Sequence, residues 1–400
     1  MSNLTPFRKE TRAWLEENCP PSMRTKMVSG EEVNGGNKRR STNPESYLWL
    51  ERMITKGWTV PHWPKEYGGA SLSKDEFLIL FEEMQAINAR APLGGMGVTM
   101  IGPTLLEYGN EEQKRRHLPR IARGEVAWCQ GYSEPGAGSD LASLQTKAED
   151  MGDHYLVNGS KIWTSGANYA DWIFCLVRTD SKAPKHEGIS FLLFSMDSQG
   201  VMTKPIVLLN GHSPFCQTFF DDVQVPKEDL VHEVNRGWTV GKRLLQHERS
   251  GLAALAGNDS AGPMARIKPD KSLPDLAKHY GGSEHIADPA LRHDIIVNEQ
   301  KRRAFILTQQ RAIAESEAGT PGAATSIFKF IEAEVVKEQL EIQLRIRGMQ
   351  GLGWDGEQFE EEEIRMNRLW LEAKAISIAG GSNEIQLNII AKRVLGLPDE

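Results

Sequence analysis

The chain is predicted to be an α+β multidomain protein built as a helical block, a β block and a second helical block. Three observations carry this. The first 125 residues or so place apolar side chains at helical spacing. From about Gly124 the texture changes to short β-branched and aromatic runs punctuated by Gly, Asp and Asn. From Gly237 the helical period returns. The expected boundaries are 1–124, 125–235 and 236–400.

In the first block, Pro44–Lys56 carries Tyr47, Leu48, Leu50 and Ile54 near helical spacing, and Gly57 stops it. Ser73-Lys-Asp-Glu76 is a capping box that opens a helix over Phe77–Ala91. Asn110–His117 is a polar helix start after Gly109, and Trp63–Gly69 is a loop. In the middle block, Tyr155–Gly159 ends in an Asn-Gly hairpin signal. Trp172–Val177, Ile189–Phe194, Ile206–Leu209 and Thr218–Val225 read as further strands. In the last block, Val240, Leu244, Leu245, Leu252 and Leu255 line one helix face. Ile295–Glu317, Ser326–Gly348 and Asn367–Ala379 supply three more long helices, with Ala261–His285 connecting. The Glu360–Glu363 run reads as a solvated face.

Composition narrows the function classes. Lys and Arg number 47 against 54 Asp and Glu, a formal charge of −7, so the basic footprint of a nucleic-acid binder is missing. The 40% hydrophobic and 25% charged content suits a globular chain. Cys19, Cys129, Cys175 and Cys216 are far apart, with no metal-ligand spacing, and read as reduced, buried thiols. No signal peptide is evident, and no apolar run approaches the roughly 20 residues of a membrane span. The expectation is a cytoplasmic enzyme. Ten tryptophans stand unexplained by composition alone.

The densest motif is Trp128–Leu141, which holds Pro135-Gly-Ala-Gly-Ser-Asp140. Two glycines within three residues let backbone N–H groups approach an anion, and Ser139 adds a hydroxyl. A tight turn between strands explains the hexapeptide equally well. Lys161-Ile-Trp-Thr-Ser-Gly166 offers an indole to pack on a planar ring and hydroxyls for its edge, although Trp163 also suits a core. Ala379-Gly-Gly-Ser-Asn383 sets free N–H groups at a helix N-terminus, and Gln350-Gly-Leu-Gly-Trp354 is a third Gly-rich loop. Three such loops favour a large phosphate-bearing ligand.

Together these residues resemble the acyl-CoA dehydrogenase flavoproteins over essentially the whole chain. Ser133-Glu-Pro-Gly-Ala-Gly-Ser-Asp140, Asn158-Gly-Ser-Lys-Ile-Trp163 and Gly381-Ser-Asn-Glu-Ile-Gln386 carry the resemblance, with Ile389-Ile-Ala391. Gly57–Gly69, Trp128-Cys-Gln-Gly131 and Asp171–Arg178 make it most similar to the pimeloyl-CoA dehydrogenase large-subunit type. The resemblance implies an N-terminal helical domain, a middle β-barrel or sandwich, and a C-terminal four-helix bundle. It implies FAD between the β domain and the C-terminal helices, with acyl-CoA on the ring's other face. Tyr132 and Ser133 then touch the isoalloxazine edge, Trp163 backs the ring, and Ser165 lies near N5 and O4. Gly138, Ser139, Gln350, Gly351, Ser382 and Glu384 complete the cofactor contacts. Ser139 and Leu141 lie along the pantetheine, and Arg249 matches a widely shared arginine assigned to the substrate side.

The implied reaction takes an α-proton from a thioester while the β-hydride moves to the flavin. The proton is too weakly acidic for a carboxylate in water, so two donors to the thioester carbonyl and desolvation of the base are required. By resemblance the donors are a flavin ribityl hydroxyl and the backbone N–H of Gly380. The commonest family pattern has its base Glu where this chain has Gly380, which offers no proton acceptor. Glu248 in Leu244–Gly251 occupies the place used by the isovaleryl-CoA type, although a surface Glu paired with an Arg also fits there. A second departure is Leu276-Ala-Lys-His-Tyr-Gly-Gly282, which lacks the Arg-x-x-Phe-Gly of homotetrameric members. Lys278 or His279 substitutes, or another subunit supplies the contact, which raises a heteromer with a related smaller chain beside a homodimer or homotetramer. The leading expectation is a trans-2-enoyl-CoA-forming dehydrogenase that passes electrons to an electron-transfer flavoprotein. An oxidase or desulfinase, and a non-catalytic subunit, are the competing readings. Gly94-Gly-Met-Gly97 suggests a roomy pocket wall.

Overall fold

The computed structural model describes residues 4–28, 30–249, 271–317 and 327–398, and of 246–249 and 312–317 only the backbone. The fold runs from helices through a curled sheet to helices, as predicted. Two compact units result, residues 1–206 with 213–258, and residues 207–212 with 259–400.

The first unit opens with α1 (Thr5–Asn18), α2 (Glu45–Thr55), α3 (Lys74–Ala86), α4 (Gly102–Tyr108) and α5 (Glu111–Ala122). The Ser73/Glu76 capping box forms, each side chain taking the other's backbone N–H. The helix ends at Ala86, short of the expected Ala91, because Asn88 is left-handed at φ 53°. The chain is then free to aim Arg90 inward, where it pairs with Glu31 and donates to the carbonyls of Thr25 (3.1 Å) and Lys26 (2.6 Å). Arg90 thereby fixes a strap, residues 24–43, that has no helix or strand among its described residues. Gly94 N–H donates to the Val33 carbonyl at 2.8 Å and Gly36 N–H to the Gly124 carbonyl at 3.1 Å. The strap corrects the reading of Gly94–Gly97 as open wall. A Cβ at Gly94 would meet the Asn34 side chain at 2.9 Å, and one at Gly95 the Asn34 carbonyl at 2.8 Å. These glycines admit a neighbouring backbone instead of leaving room.

The sheet comprises β1 (Trp128–Gly131), β2 (Lys147–Asp150), β3 (His154–Ser165), β4 (Trp172–Arg178), β5 (Ile189–Ser195), β6 (Val201–Ile206) and β7 (Phe215–Pro226). Its order is β1-β4-β2-β3-β7-β6, with β5 on the remaining side of β4. Ile206–Leu209 was expected as a strand, but the strand ends at Ile206. The Asn-Gly hairpin is overturned as well. β3 runs straight through Asn158-Gly159, where the register against β7 shifts. Gly159 sits at φ 146° with Thr146 so close that a Cβ would lie 2.8 Å from its Cα, so the pair makes a bulge and not a turn. The chain reverses earlier, through Met151-Gly152-Asp153 between β2 and β3.

Strand β4 is buried on both faces. Ile173, Cys175 and Val177 face an interior shared with Cys129, Phe194 and Val223, while Phe174 and Leu176 face the helices. Helix α6 (Gly237–Arg249) covers that second face with Val240 and Leu244. Leu252 and Leu255, expected on the same face, lie outside the described residues. All four cysteines are free and buried as expected. Burial pushes the Cys175 thiol up to about 12 and that of Cys19 to about 11.

In the second unit, α7 (Leu273–Gly281), α8 (Pro289–Glu317), α9 (Phe328–Arg347) and α10 (Glu361–Ala373) pack through two apolar clusters, and α11 (Asn383–Ile389) joins α9 through the Asn383 side-chain amide, which donates to Glu334 at 2.8 Å. The described part of the expected Ala261–His285 connection contains α7, capped by Ser272. Helix α10 starts six residues before the expected Asn367, because Glu360 and Glu363 form a capping box. The four-carboxylate run is thus a helix start, and Glu363 is buried, accepting the Tyr280 hydroxyl at 2.5 Å. No helix among the described residues is long and apolar enough to cross a membrane.

One buried group joins α5 to the sheet. His117 lies edge-on to Trp128 (5.2 Å) and Trp172 (4.8 Å), and its Nε2 accepts from Arg116 at 3.1 Å. Burial, with the adjacent Arg116, pushes its pKa down to about 3. Arg116 also pairs with Asp229, whose carboxyl burial raises to about 6. The two shifts oppose each other. Protonation of the unfolded His117 destabilises the fold as pH drops below about 6.5, at about 1.4 kcal/mol per pH unit. Proton uptake by folded Asp229 stabilises it as pH drops from about 6 toward 3.8. Chemical denaturation between pH 4 and 6, read as the difference between each variant and wild type, separates the two contributions. Asp229→Asn should lose stability as pH falls, and His117→Gln should gain it.

Candidate active site

Beyond β1 the chain turns at the motif. Glu134 and Ala137 exchange both backbone hydrogen bonds at 3.0 Å, which makes a tight turn over Pro135-Gly136. The tight-turn reading of the hexapeptide is what the structure shows. The turn uses the amides of Glu134 and Ala137, with Gly136 exposed at its tip and Gly138 and Ser139 exposed beyond it. A Cβ at Gly136 or Gly138 would meet nothing within 4 Å. Leu141 is half-buried against the cluster that includes α6. Tyr132 is buried, and its hydroxyl donates to the Gly241 carbonyl of α6 at 3.4 Å.

The loop is fastened to β3 by groups the sequence reading passed over. Lys161, 0% exposed, donates to the Glu134 carboxylate at 2.8 Å and to the Tyr132 carbonyl at 3.1 Å. Glu134 also accepts the amides of Gln145 (2.6 Å) and Thr146 (2.8 Å). Burial pushes the Glu134 carboxyl up, but Lys161 and these donors outweigh it and hold it below the usual carboxylate range. Ile162 N–H donates to the Ser133 carbonyl at 2.8 Å. Arg178 closes the far end of the loop on the carbonyls of Ala142 (2.6 Å) and Leu144 (3.3 Å). Their signal was visible: charged residues set among the small residues of two motifs.

Trp163 follows at once. Its backbone is left-handed at φ 60°, a conformation a bulky residue adopts only under constraint, and the β3–β7 register shifts beside it. Its side chain is 53% exposed and meets Phe215 edge-on at 6.0 Å. The indole is therefore exposed and not core. Ser133 and Ser165 are half-buried, with no hydroxyl hydrogen bond inside the chain among the described residues.

Of the remaining expected residues, all but Glu248 and Arg249 belong to the second unit. Gln350 and Gly351 lie in a 3₁₀ turn over Gly348–Leu352, where Gly351 is pressed against the Leu344 carbonyl. Gly380 and Gly381 are left-handed at φ 66° and 94°. Ser382 is buried and caps α11 through the Ile385 amide, and Glu384 is in that first turn. Lys278 lies 3.9 Å from Glu284, and His279 meets the Tyr280 ring at 5.1 Å. Glu248 and Arg249 occupy the last turn of α6, and their side chains lie outside the described residues.

Family models decide the identity. Those described as acyl-CoA dehydrogenase N-terminal, middle and C-terminal domains match residues 3–125, 129–223 and 235–395. The chain belongs to the acyl-CoA dehydrogenase family. Acyl-CoA dehydrogenase IpdE1 of Mycolicibacterium smegmatis is 36% identical over 411 residues, covering 100% of this chain and 99% of that one. IpdE1 of Mycobacterium tuberculosis is 34% identical over 403 residues, with the same coverage. Among solved structures, the Tcur3481-Tcur3483 steroid ACAD is 32% identical with TM-score 0.75, covering 100% of this chain and 99% of that one. The ChsE4-ChsE5 complex from Mycobacterium tuberculosis is 30% identical with TM-score 0.73, at the same coverage. The protein is thus a flavin-dependent oxidoreductase by family.

The first unit fits a flavin on its own evidence. A flat ring needs an open aromatic face and edge donors that are not already committed. Exposed Trp163, the uncommitted hydroxyls of Ser133 and Ser165, and the open positions of Gly136 and Gly138 meet that need. If Trp163 is a platform, Trp163→Gly relieves its backbone strain and removes no core. The melting curve of the flavin-free variant is expected to stay within about 1 kcal/mol of wild type, whereas a core tryptophan would cost about 3–5 kcal/mol.

Proposed function

We propose that the chain is an FAD-dependent dehydrogenase that converts a ring-bearing, steroid-derived acyl-CoA to its trans-2-enoyl-CoA, with Glu248 as the base. The supporting observation is the register of α6. Gly241 takes the Tyr132 hydroxyl and Leu244 is buried against the sheet. Position 248 follows 241, 244 and 245 at helical spacing, on the same stripe. The base role requires a carboxylate held out of water, since desolvation raises its basicity. Gly380 brings no competing carboxylate.

Tyr132, Ser133, Gly138, Ser139, Trp163, Ser165, Gln350, Gly351, Ser382 and Glu384 would hold the flavin. Bound FAD would supply the hydride acceptor. Ser139, Leu141 and Arg249 would hold the CoA thioester, and the Gly380 amide would donate to its carbonyl. That donor lowers the cost of the enolate charge as Glu248 takes the α-proton. The steroid assignment rests on the likeness to the Tcur3481-Tcur3483 steroid ACAD. The missing Arg in Leu276–Gly282 and the likeness to the ChsE4-ChsE5 complex support a heteromer with a smaller related chain. An electron-transfer flavoprotein is the proposed acceptor, and the buried thiols suit a reducing cytoplasm.

Anaerobic bleaching of bound flavin by a panel of CoA esters tests the chemistry. Steroid side-chain esters are expected to bleach fastest, and Glu248→Ala to slow bleaching by about 10²–10⁴-fold. Full-rate bleaching in the variant would remove Glu248 from the base role. Peroxide or free sulfinate would favour the altered-chemistry reading, and absence of flavin a non-catalytic subunit. Native mass measurement after co-expression is expected to show two kinds of chain, and a flavin-replete homotetramer would refute the heteromer.

A further inference from the structure

The Lys161–Glu134 pair sits between the two halves of the flavin-facing surface. On one side is the Tyr132–Ser133 segment, and on the other the bulged turn of β3 that forces Trp163 into its left-handed conformation. The ammonium bonds both the carbonyl of Tyr132 and the carboxylate two residues on. That carboxylate reaches across to the amides of Gln145 and Thr146. Thr146 is in turn the residue against which Gly159 bulges. One buried charge pair therefore spans both ends of the loop and both irregularities of β3.

A lysine with no exposure to water needs its compensation in place before the site can form, and a charge-assisted hydrogen bond tolerates little displacement. We propose that Lys161 and Glu134 are positioning residues of the flavin site, which set the distance between the Ser133 donor edge and the Trp163 platform before the cofactor arrives. The proposal rests on the assignment of this surface to flavin. It predicts a site that is already built in the apoprotein.

Two variants and one measurement on the wild type test it. Glu134→Asp keeps the charge and shortens the reach. Glu134→Gln with Lys161→Met removes both charges while leaving an acceptor for the Thr146 amide. In each, the FAD dissociation constant is expected to rise tenfold or more, and the visible circular dichroism of bound flavin to change, with apoprotein melting close to wild type in the double variant, where no buried charge is left uncompensated. Lowered melting with FAD affinity within twofold and an unchanged flavin spectrum would make the pair a fold element only and overturn the proposal. In wild-type apoprotein the Ile162 and Thr146 amides are expected among the slowest to exchange with deuterium. Fast exchange that slows only with FAD would overturn preassembly, whatever the variants do. A wild type that binds no flavin would sink the functional reading separately, since the exchange result does not depend on it.

Discussion

Strand β4 cannot show either face to water, and the first unit is arranged around that constraint. Its apolar run leaves no polar side for solvent, so one face needs the curled sheet and the other needs helices. β5, β1 and β2 flank it, α6 lies over it, and α5 reaches it through His117. The loop after β1 leaves from β4's neighbour, so the candidate site inherits the position of a strand buried on both faces. A rigid strand below and a pinned loop above are what a site needs when its groups must hold their spacing without a ligand.

Close approach is the second theme. Gly94 and Gly95 admit the strap, Gly102 sits where any side chain would collide with the Trp63 indole, and Gly159 admits Thr146. Each glycine stands where two backbones or a backbone and a ring come together. Chain segments distant in sequence are thereby held in register without dedicated apolar area, which suits a surface that must stay open to a large ligand.

The order of elements was legible because period and punctuation are local signals. The capping box at Ser73 needed no tertiary information, and the strands of the middle block announced themselves by composition. What failed were features whose meaning depends on a remote partner. Asn158-Gly159 reads as a turn until Thr146 arrives beside it. Glu363 reads as solvated until Tyr280 covers it. Gly94 reads as space until Asn34 fills it. The candidate site was legible as a set of motifs, and the exposure of Trp163 removed the core reading of that residue. The lysine and glutamate that pin it were hidden in plain view, because a charge inside a motif gives no sign of its burial until the strands pair.

The four cysteines carry a consequence of another kind. Cys19 lies in the cluster formed by α1 to α3, whereas Cys129, Cys175 and Cys216 share the interior of the sheet. With every thiol enclosed and held protonated, a thiol-labelling reagent can react only through openings of the fold. The order in which they are modified then maps the order in which helices and sheet come apart. Native thiols thus serve as a clock for local unfolding, readable by mass and with no probe introduced.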